Sequence, residues 1–541
     1  MYLIFTIFWS IRTVKYLLFW IYLWQLKEYH VGRFLDHFKT YKGKKIVLNY
    51  FFPLKIILVS AFIFASELFS IWFLILFFIY VLESFIFLKQ FAFENVKKPK
   101  ITLKTIFLTS ISVLSFVLFL AWLYLYVSDK QELAWLLAVD ILLPLIVSFI
   151  VLFFQPFFVL LRNNILKKAA LKIKESKDLK VICITGSYGK TSTKEFLATI
   201  LSNKFRVLST KEHQNSEIGI AKCVLNDLKP DYQFFIAEVG AYNKGKVKEV
   251  CSALRPEIGV VTGVNEQHLS LFGSLENLLS AEGGRELAEC LPENGLLIVN
   301  GDNKYCLDLY KRTAKLSPEN KKVYSLNKNK IETNIFADNI EISKDFVSFM
   351  AAENLQNGGK NLAHFDANVL GRQNVQNLLA AICAARELGM SLEEISNACK
   401  DIKPEQAGIT LKQEKHGINI IDSSYSANPD GVLADLDYLS IFSQKKVIIM
   451  PCLIELGKKS SEVHEKIGRK IGQVCDVAII TTKDKFKDIK KGAVEAGMKE
   501  KNIIFSENPN DIYSQITLFC TKGDAVLLEG RVPQKLYEQI F

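Results

Sequence analysis

The stretch Val181–Thr193 constrains the fold of this chain more than any other part of its sequence. An apolar run, Val181–Ile184, leads into a turn with glycines at positions 186 and 189, and a helical pattern follows. This order of elements, a strand, then a glycine-containing loop, then a helix, is typical of anion-binding sites. Backbone N–H groups of the loop and the helix dipole both point at the anion there. Because Lys190 and Thr191 close the turn, we interpret it as a phosphate-binding loop. Lys190 would reach the terminal phosphates, and the Thr191 hydroxyl would hold Mg²⁺.

The loop departs at one position from the common pattern G-x-x-x-x-G-K-[ST], because Ile184 stands where the first glycine belongs. A chance lysine-bearing turn is the alternative, and the flanking strand and helix argue against it. We therefore expect a nucleotide site whose loop contacts are Gly186, Ser187, Gly189, Lys190, Thr191 and Ser192.

Five apolar segments at the start of the chain are long enough to span a bilayer. They cover residues 3–24, 47–68, 71–87, 106–127 and 133–154, so we expect a multi-pass membrane domain at residues 1–155. Arg12 and Lys15 interrupt the first segment, which leaves a helix lying in the membrane interface as its alternative. Asp140 lies in the fifth segment, where an acid either marks a substrate path or reaches water or a neighbouring helix.

The charge distribution predicts the orientation of these segments. Residues 1–180 contain 22 Lys and Arg against 10 Asp and Glu, whereas the whole chain has a net charge of +11. This basic excess accompanies the apolar segments, so it favours a lipid bilayer, and not nucleic acid, as a partner. By the positive-inside rule the basic loops 27–45 and 89–104 are cytoplasmic. We expect a multi-pass protein of the inner cell membrane with an external N-terminus, an amphipathic juxtamembrane linker at 156–179 and cytoplasmic catalytic domains.

Beyond residue 180, apolar runs alternate with helical patterns, which is typical of βαβ units on a parallel sheet. We expect an α/β fold here: a P-loop, parallel-sheet ATP-binding domain at 180–404 and a smaller, Rossmann-like C-terminal domain at 405–541. The apolar strand Phe234–Val239 contains Glu238 near its end. A carboxylate at a strand end beside a phosphate loop is predicted to bind Mg²⁺, and a surface acid is the alternative.

Nine short motifs occur in one order along residues 180–541. They read TGSYGKT from Thr185, HQNSEIG from His213, EVGA from Glu238, HL from His268, FGSLE from Phe272, NGD from Asn300, GRQNVQN from Gly371, DSSYSANPD from Asp422 and ELG from Glu455. Each motif is weak alone, but together the order and spacing resemble those of the Mur ligase family. The resemblance is strongest to the branch that adds D-alanyl-D-alanine to a muramoyl tripeptide.

This resemblance implies an ATP-dependent, ADP-forming amide ligase of cell-wall precursor synthesis. ATP would phosphorylate a carboxylate of a cell-wall peptide precursor, and the amine of an amino acid or dipeptide would attack the acyl phosphate. Other proteins of peptidoglycan synthesis are further expected partners. In the family pattern, Lys190 and His268 are catalytic, and the metal ligands are Thr191, Glu238 and His268. Further nucleotide contacts are Asn300, Asn374, Asn377 and Asp422, and substrate contacts are Asn215, Tyr425, Asn428 and Asp430. An ordinary structural role is the alternative for His268, for Tyr425 and for the three asparagines Asn300, Asn374 and Asn377.

Three departures from the family pattern concern the site itself. Glu282 stands where the family carries a carbamoylated lysine. Either Glu282 replaces that group as a catalytic carboxylate and ligand of the second metal, through a water molecule if needed, or the second metal site has been lost. Ile409 replaces an arginine near the γ-phosphate, with Lys403 and Lys412 as candidate substitutes. Glu529-Gly530-Arg531 replaces a Lys-Gly-Ser motif that helps to bind the amine, so the identity of the amine stays open.

The largest departure precedes the loop, where soluble relatives have a domain for the UDP end of the substrate and this chain has apolar segments. The acceptor is therefore UDP-linked or lipid-linked, and the architecture favours a lipid-linked precursor. The rival functions are a ligase for another poly-amino-acid polymer, a transporter ATPase and a non-catalytic scaffold. The lack of a Leu-Ser-Gly-Gly-Gln signature argues against the transporter. For a ligase we expect domain closure about residues 403–408.

Overall fold

The computed structural model describes residues 2–47, 53–57, 69–92, 96–127, 129–211, 214–327, 333–355, 359–413, 417–425 and 427–541. The chain divides into two compact units, Met1–Asn163 and Asn164–Phe541. Most of the predicted segment 47–68, His213 of the second motif and Ser426 of the eighth motif lie outside the described residues.

Six helices are described in the first unit, and the last of them continues into the second unit. They are α1 (Tyr2–Leu26), α2 (Val31–His37), α3 (Tyr41–Val47), α4 (Phe69–Ala92), α5 (Leu103–Tyr126) and α6 (Asp129–Glu175). Within the described residues, four of these helices are long and apolar enough to cross a membrane: α1, α4, α5 and α6. Much of their outward surface is apolar, with side chains such as Phe78, Phe85 and Leu118 at least half exposed. A fold in water rarely exposes so many large apolar groups together, whereas a bilayer accommodates them.

The fifth predicted segment and the juxtamembrane linker form a single helix. α6 contains 47 residues, with Pro144 and Pro156 inside it. At 1.5 Å per residue it is about 70 Å long, so only part of it can lie in a hydrocarbon core of about 30 Å. The sequence pattern divided this helix because apolar residues give way to lysines after Pro156, but a change of composition does not require a break in the backbone.

A buried charge cluster, formed by Arg12, Lys55, Glu83 and Asp140, joins the helices of the first unit. Lys55 Nζ lies 2.6 Å from Glu83 Oε2 and 3.0 Å from Asp140 Oδ2. Arg12 forms ion pairs with both Glu83 and Asp140, and the Tyr80 hydroxyl donates to Asp140 Oδ2 at 2.8 Å. All four charged side chains are at least nine-tenths buried. Asp140 therefore contacts neighbouring helices, which corresponds to one of the two interpretations of this intramembrane acid.

A nine-stranded sheet forms the first half of the second unit. Its strands are β1 (Lys180–Thr185), β2 (Val207–Ser209), β3 (Phe234–Glu238), β4 (Ile258–Val261), β5 (Leu296–Asn300), β6 (Lys321–Ser325), β7 (Ile335–Ile342), β8 (Val347–Asn354) and β9 (Lys360–Ala367). They lie in the order β2-β3-β1-β4-β5-β6-β7-β8-β9. Pairing is parallel as far as β7, and β7, β8 and β9 are antiparallel. The parallel part confirms the predicted fold class, and the antiparallel extension was not predicted.

Helices cover this sheet. They are α7 (Lys190–Ser202), α8 (Glu217–Asp227), α9 (Lys246–Leu254), α10 (Leu269–Phe272), α11 (Leu275–Ala281), α12 (Arg285–Cys290), α13 (Lys304–Arg312), α14 (Arg372–Glu387) and α15 (Leu392–Cys399). α14 is almost entirely buried from Val375 to Ala385. Small alanines along it allow close packing against α7, which begins at the predicted phosphate loop.

The rest of the second unit contains a six-stranded sheet in the order β10-β11-β15-β12-β13-β14. The strands are β10 (Thr410–Gln413), β11 (Asn419–Ser423), β12 (Lys446–Met450), β13 (Val477–Ile480), β14 (Ile503–Phe505) and β15 (Ala525–Glu529). Its helices are α16 (Pro429–Leu439), α17 (Ser460–Val474), α18 (Phe486–Glu495), α19 (Pro509–Phe519) and α20 (Gln534–Ile540). Strands β11 to β15 pair in parallel, which confirms the predicted Rossmann-like fold of this domain, and the edge strand β10 pairs antiparallel with β11.

Candidate active site

Strand register brings the predicted loop and the predicted carboxylate to one edge of the nine-stranded sheet. β1 pairs with β3 so that Ile184 lies opposite Glu238, and with β4 so that Thr185 lies opposite Val261. The carboxyl ends of neighbouring parallel strands form the usual binding edge of an α/β sheet. The segments that follow β1 and β4, which include Lys190 and His268, therefore meet beside Glu238.

Two glycines give the loop its shape. Gly186 has φ of +141° and Gly189 has φ of +75°. A Cβ atom at Gly186 would lie 2.3 Å from Thr262 Oγ1, and one at Gly189 would lie 2.4 Å from Asn377 Oδ1. Neither position can hold a larger residue without displacing its neighbours. The Lys190 ammonium lies within this loop and donates to the Gly186 carbonyl at 2.5 Å.

Thr191 and Glu238, both predicted metal ligands, are in contact. The Thr191 hydroxyl donates to Glu238 Oε2 at 2.9 Å, and Asn215 Nδ2 donates to Glu238 Oε1 at 3.2 Å. The Thr191 hydroxyl lies at the start of a helix and the Glu238 carboxylate at the end of a strand. Both are oxygen donors of the kind that Mg²⁺ prefers, and Mg²⁺ usually takes few protein ligands beside water and phosphate oxygens. The donors present therefore fit this ion. Asn215, predicted as a substrate contact, lies against this carboxylate.

His268 and Glu282 form a second pair at the loop. His268 Nδ1 lies 2.8 Å from Glu282 Oε1, and the Ser187 hydroxyl donates to Glu282 Oε2 at 2.8 Å. The Glu282 carboxylate is 2% exposed. Burial opposes its ionisation, but His268, Lys190 and Ser187 outweigh burial and lower the pKa of Glu282. The Glu282 carboxylate thus contacts both His268 and the phosphate loop, and its role toward a metal stays a prediction.

The predicted asparagines lie beneath the loop in a buried network. Asn300 Nδ2 donates to the Thr262 carbonyl at 2.7 Å, and Asn377 Nδ2 donates to Asn374 Oδ1 at 3.0 Å. Gln376, which the sequence reasoning missed, donates to Asn300 Oδ1 at 3.2 Å. Asn300 and Asn374 have at most 1% of their surface exposed. These contacts support the loop from below, and the nucleotide contacts of the three asparagines remain predictions.

Asn265 connects the two sheets across the site. Its Nδ2 donates to Asp430 Oδ2 at 2.8 Å and to Asn428 Oδ1 at 3.3 Å. Its backbone N–H donates to the Ser187 hydroxyl at 3.2 Å. Asn428 and Asp430 thus lie where the two sheets meet, whereas Tyr425 is half exposed. Sequence reasoning missed Asn265, although its position three residues before His268 was a usable signal.

Asp422 lies at the end of the second sheet beside two groups from the end of the chain. It accepts from the Tyr537 hydroxyl at 2.8 Å, and Lys412 Nζ lies 3.8 Å away and over the Phe541 ring. Burial and the hydrogen bond to Asp422 raise the pKa of Tyr537 to about 12. Of the two candidate substitutes for the missing arginine, Lys412 lies near a predicted nucleotide contact and Lys403 is exposed.

The predicted hinge contacts the first turns of α7. The Ser192 hydroxyl donates to the Ala407 carbonyl at 3.2 Å. Gly408 has φ of +76° and, like the loop glycines, occupies a backbone conformation that other residues rarely adopt. Ser192 therefore connects the phosphate loop helix to the segment between the two sheets.

Family models match most of the second unit. The Mur ligase middle domain matches residues 184–385, and the Mur ligase glutamate ligase domain matches residues 409–532. Together these matches cover more than half of the chain. The chain belongs to the Mur ligase family.

Two curated relatives of this chain are ligases of the same name. The chain is 29% identical over 296 residues to the UDP-N-acetylmuramoyl-tripeptide–D-alanyl-D-alanine ligase of Escherichia coli. This match covers 55% of this chain and 63% of that protein. The ligase of the same name from Bacillus subtilis is 25% identical over 362 residues, with 66% and 74% covered. The match thus spans less than two thirds of the Escherichia coli protein.

Solved structures of the family share the fold of the second unit. MurF from Acinetobacter baumannii aligns with a TM-score of 0.60 at 23% identity, covering 70% of this chain and 79% of that one. MurF from Thermotoga maritima in complex with ADP aligns with a TM-score of 0.58 at 23% identity, covering 70% and 83%. The similarity extends over both sheets.

Glu529 of this Mur ligase, the first residue of the altered Lys-Gly-Ser motif, is buried beside Asp435. Asp435 Oδ1 accepts from Gln373 Nε2 at 2.9 Å, and Asp435 Oδ2 accepts from the Ser423 hydroxyl at 2.5 Å. Burial and the neighbouring Asp435 carboxyl raise the pKa of Glu529 well above its ordinary value of 4.5. Two adjacent buried carboxyl groups do not both ionise readily, so each opposes the ionisation of the other.

We expect Glu529→Gln to raise the thermal stability of the second unit at pH 8 and to leave it unchanged at pH 4. When folding raises the pKa of an acid, its protonated form stabilises the folded state fully at pH values below the unfolded-state pKa of 4.5. That stabilisation is lost as the pH rises toward the folded-state pKa. Glutamine is neutral at every pH, so the variant does not lose this stabilisation. Each kcal/mol retained at pH 8 corresponds to a rise of about 2–4 °C in Tm. Scanning calorimetry between pH 4 and pH 8 measures it. The exposed Glu538→Gln is the control, and a pH profile of Glu529→Gln parallel to wild type would contradict the prediction.

Proposed function

We propose that this chain is a membrane-anchored ligase that uses ATP and Mg²⁺ to join the carboxylate of a peptidoglycan peptide precursor to an amine. D-alanyl-D-alanine is the amine that the names of its relatives favour. One observation carries the proposal: both predicted carboxylates contact the phosphate loop, Glu238 through Thr191 and Glu282 through Ser187. A loop that cradles phosphate beside two acids fits phosphoryl transfer to a third carboxylate.

The chemistry needs neutralisation of charge, because an anionic carboxylate must attack an anionic triphosphate. Bound Mg²⁺ would supply Lewis-acid neutralisation of phosphate oxygens, held by Thr191 and Glu238. Lys190 adds a fixed positive charge within the loop, where it stabilises the transferring phosphoryl group more strongly than water would. The amine nitrogen then attacks the acyl carbon of the acyl phosphate. The C–N bond forms as the C–O bond to phosphate breaks, and the amine loses a proton.

The membrane assignment rests on the four long apolar helices of the first unit and on the basic loops next to them. Positive-inside orientation supports catalytic domains on the cytoplasmic side, where ATP is available. Since apolar helices stand where soluble relatives bind UDP, we propose that the acceptor includes lipid-linked precursors.

A product assay tests the proposal. Full-length protein in nanodiscs would receive ATP, Mg²⁺ and D-alanyl-D-alanine with either UDP-muramoyl tripeptide or its lipid-linked form, and mass spectrometry would detect the product. The proposal expects a mass increase of one dipeptide less water, with one ADP per product. Glutamate as the only amine is the matched comparison. Product from glutamate alone would favour another polymer, and nucleotide binding without any product would favour a scaffold; either result would overturn the proposal.

A further inference from the structure

Glu455, in the ELG motif, lies in the loop between β12 and α17 and packs against the other sheet's short helix α10. The Ser270 N–H donates to the Glu455 carbonyl at 3.1 Å. A Cβ atom at Gly457 would lie 3.5 Å from the same Ser270 nitrogen. Glu455 has φ of +69°, a left-handed conformation that is uncommon for a residue with a side chain. Such outliers persist where surrounding structure holds them, and they concentrate at functional sites.

The Glu455 side chain points toward His268. Its Oε2 lies 3.9 Å from His268 Nε2, and the carboxylate is 8% exposed. The opposite ring nitrogen, Nδ1, faces Glu282 at 2.8 Å. His268 thus lies between a carboxylate of its own domain and a carboxylate delivered by the C-terminal domain.

The distance between Glu455 and His268 distinguishes two kinds of contact. At 3.9 Å the two atoms are too far apart for a hydrogen bond. A divalent cation that binds an imidazole nitrogen and a carboxylate oxygen on opposite sides, at about 2.0–2.2 Å each, would separate the two atoms by about 4 Å, whereas ligands on adjacent sides would lie about 3 Å apart. The observed distance therefore fits His268 and Glu455 as opposite ligands of one ion. Glu282, whose oxygens are engaged by His268 and Ser187, then has the usual place of the carboxylate behind a metal-binding histidine.

The described residues contain no group of three or more His, Cys, Asp and Glu side chains arranged as a complete metal site. That is consistent with Mg²⁺, which binds through one or two carboxylates together with water and substrate phosphates. A site completed by substrate is also one that a mobile domain can open and close.

We propose that Glu455 is a ligand, supplied by the C-terminal domain, for the divalent cation that His268 binds, with Glu282 as the positioning residue behind His268. This inference rests on the proposed ligase function and adds to it. The second cation then binds tightly only when the Glu455 loop is docked on α10. Cation affinity and domain closure then both depend on the contact between the Glu455 loop and α10.

The test measures Mn²⁺ binding directly, without turnover. Full-length wild type and Glu455→Gln would be titrated with Mn²⁺ in the presence of a non-hydrolysable ATP analogue, with bound and free ion distinguished by electron paramagnetic resonance. We expect two bound ions in wild type. In Glu455→Gln the affinity for one of them should fall at least as much as the about 10–100-fold that loss of a partner behind a ligand costs, while the other, at Thr191 and Glu238, is unchanged. Glu455→Asp should restore part of the loss.

The matched control is Glu462→Gln on α17, whose side chain is 72% exposed; it should bind both ions as wild type does. Two unchanged affinities in Glu455→Gln would overturn the inference and leave the ligase function standing. Wild type that binds neither the analogue nor Mn²⁺ would overturn the ligase function itself. A wild type that binds the analogue with one ion only would overturn the Glu455 inference alone.

Discussion

Replacing Lys190 by methionine should lower ligase turnover by about 10²–10³-fold, the usual cost of removing one preorganised group that stabilises transition-state charge. The Lys190 ammonium lies inside the loop, 2.5 Å from the Gly186 carbonyl. No hydroxyl or amide nearby can replace its charge. Methionine preserves the length of the side chain, so the loop keeps its glycine-determined shape. Initial rates of ADP release with both substrates present measure the change.

The effect should fall mainly on kcat, because the charge of Lys190 matters most while the phosphoryl group moves. Lys222→Met is the matched control, since Lys222 is an exposed lysine on α8; its turnover should equal that of wild type. Turnover of Lys190→Met within a factor of three of wild type would show that the loop does not hold the reacting phosphates.

Asp140→Ala should destabilise the first unit by about 3–5 kcal/mol, the cost of removing one partner from a buried ion pair. Asp140 neutralises Arg12 and Lys55 and accepts from Tyr80. Without it, Glu83 is the one carboxylate within the described part of the first unit that pairs with both buried cations. All six tryptophans of the chain lie within residues 1–163, so tryptophan fluorescence during unfolding in detergent reports on this unit alone.

The control for Asp140→Ala is Glu28→Gln. This change removes an ion pair with Arg33, and the Glu28 side chain is 52% exposed. Exposed ion pairs contribute little to the free energy of unfolding, so the unfolding midpoint of this variant should match that of wild type. An Asp140→Ala midpoint equal to that of wild type would mean that the buried charge cluster does not hold the helices together. The substrate-path interpretation of Asp140 would then be preferred.

The fold was predictable where local patterns decide it. The buried strand at Val181 and the five parallel strands of the second sheet follow from short apolar runs bounded by turns. The antiparallel strands β7, β8 and β9 were not predicted. β9 and the second half of β7 have exposed polar side chains that resemble loop composition, whereas the largely buried β8 was a usable signal. α6 was divided in two because periodicity reports composition, whereas helix continuity depends on backbone hydrogen bonds that composition does not reveal.

The sequence singled out candidate site residues more readily than the contacts between them. Motif order predicted roles for Lys190, Glu238 and His268, and strand register explains why the segments that carry them lie at one edge of the sheet. The contact of Glu282 with Ser187 joins residues 95 positions apart, which no local pattern encodes. Glu455 was recognised only as part of a motif, because its approach to His268 depends on how one sheet docks against the other.

The central claim is that Lys190, Glu238 and the groups around His268 activate a carboxylate as an acyl phosphate. The most direct measurement follows oxygen: an acceptor labelled with ¹⁸O in its reacting carboxylate is incubated with ATP, Mg²⁺, the amine and full-length protein, and the released phosphate is analysed by mass spectrometry. The mechanism predicts one ¹⁸O atom in each phosphate released. Unlabelled phosphate accompanying product, or ADP release that needs no acceptor, would contradict it.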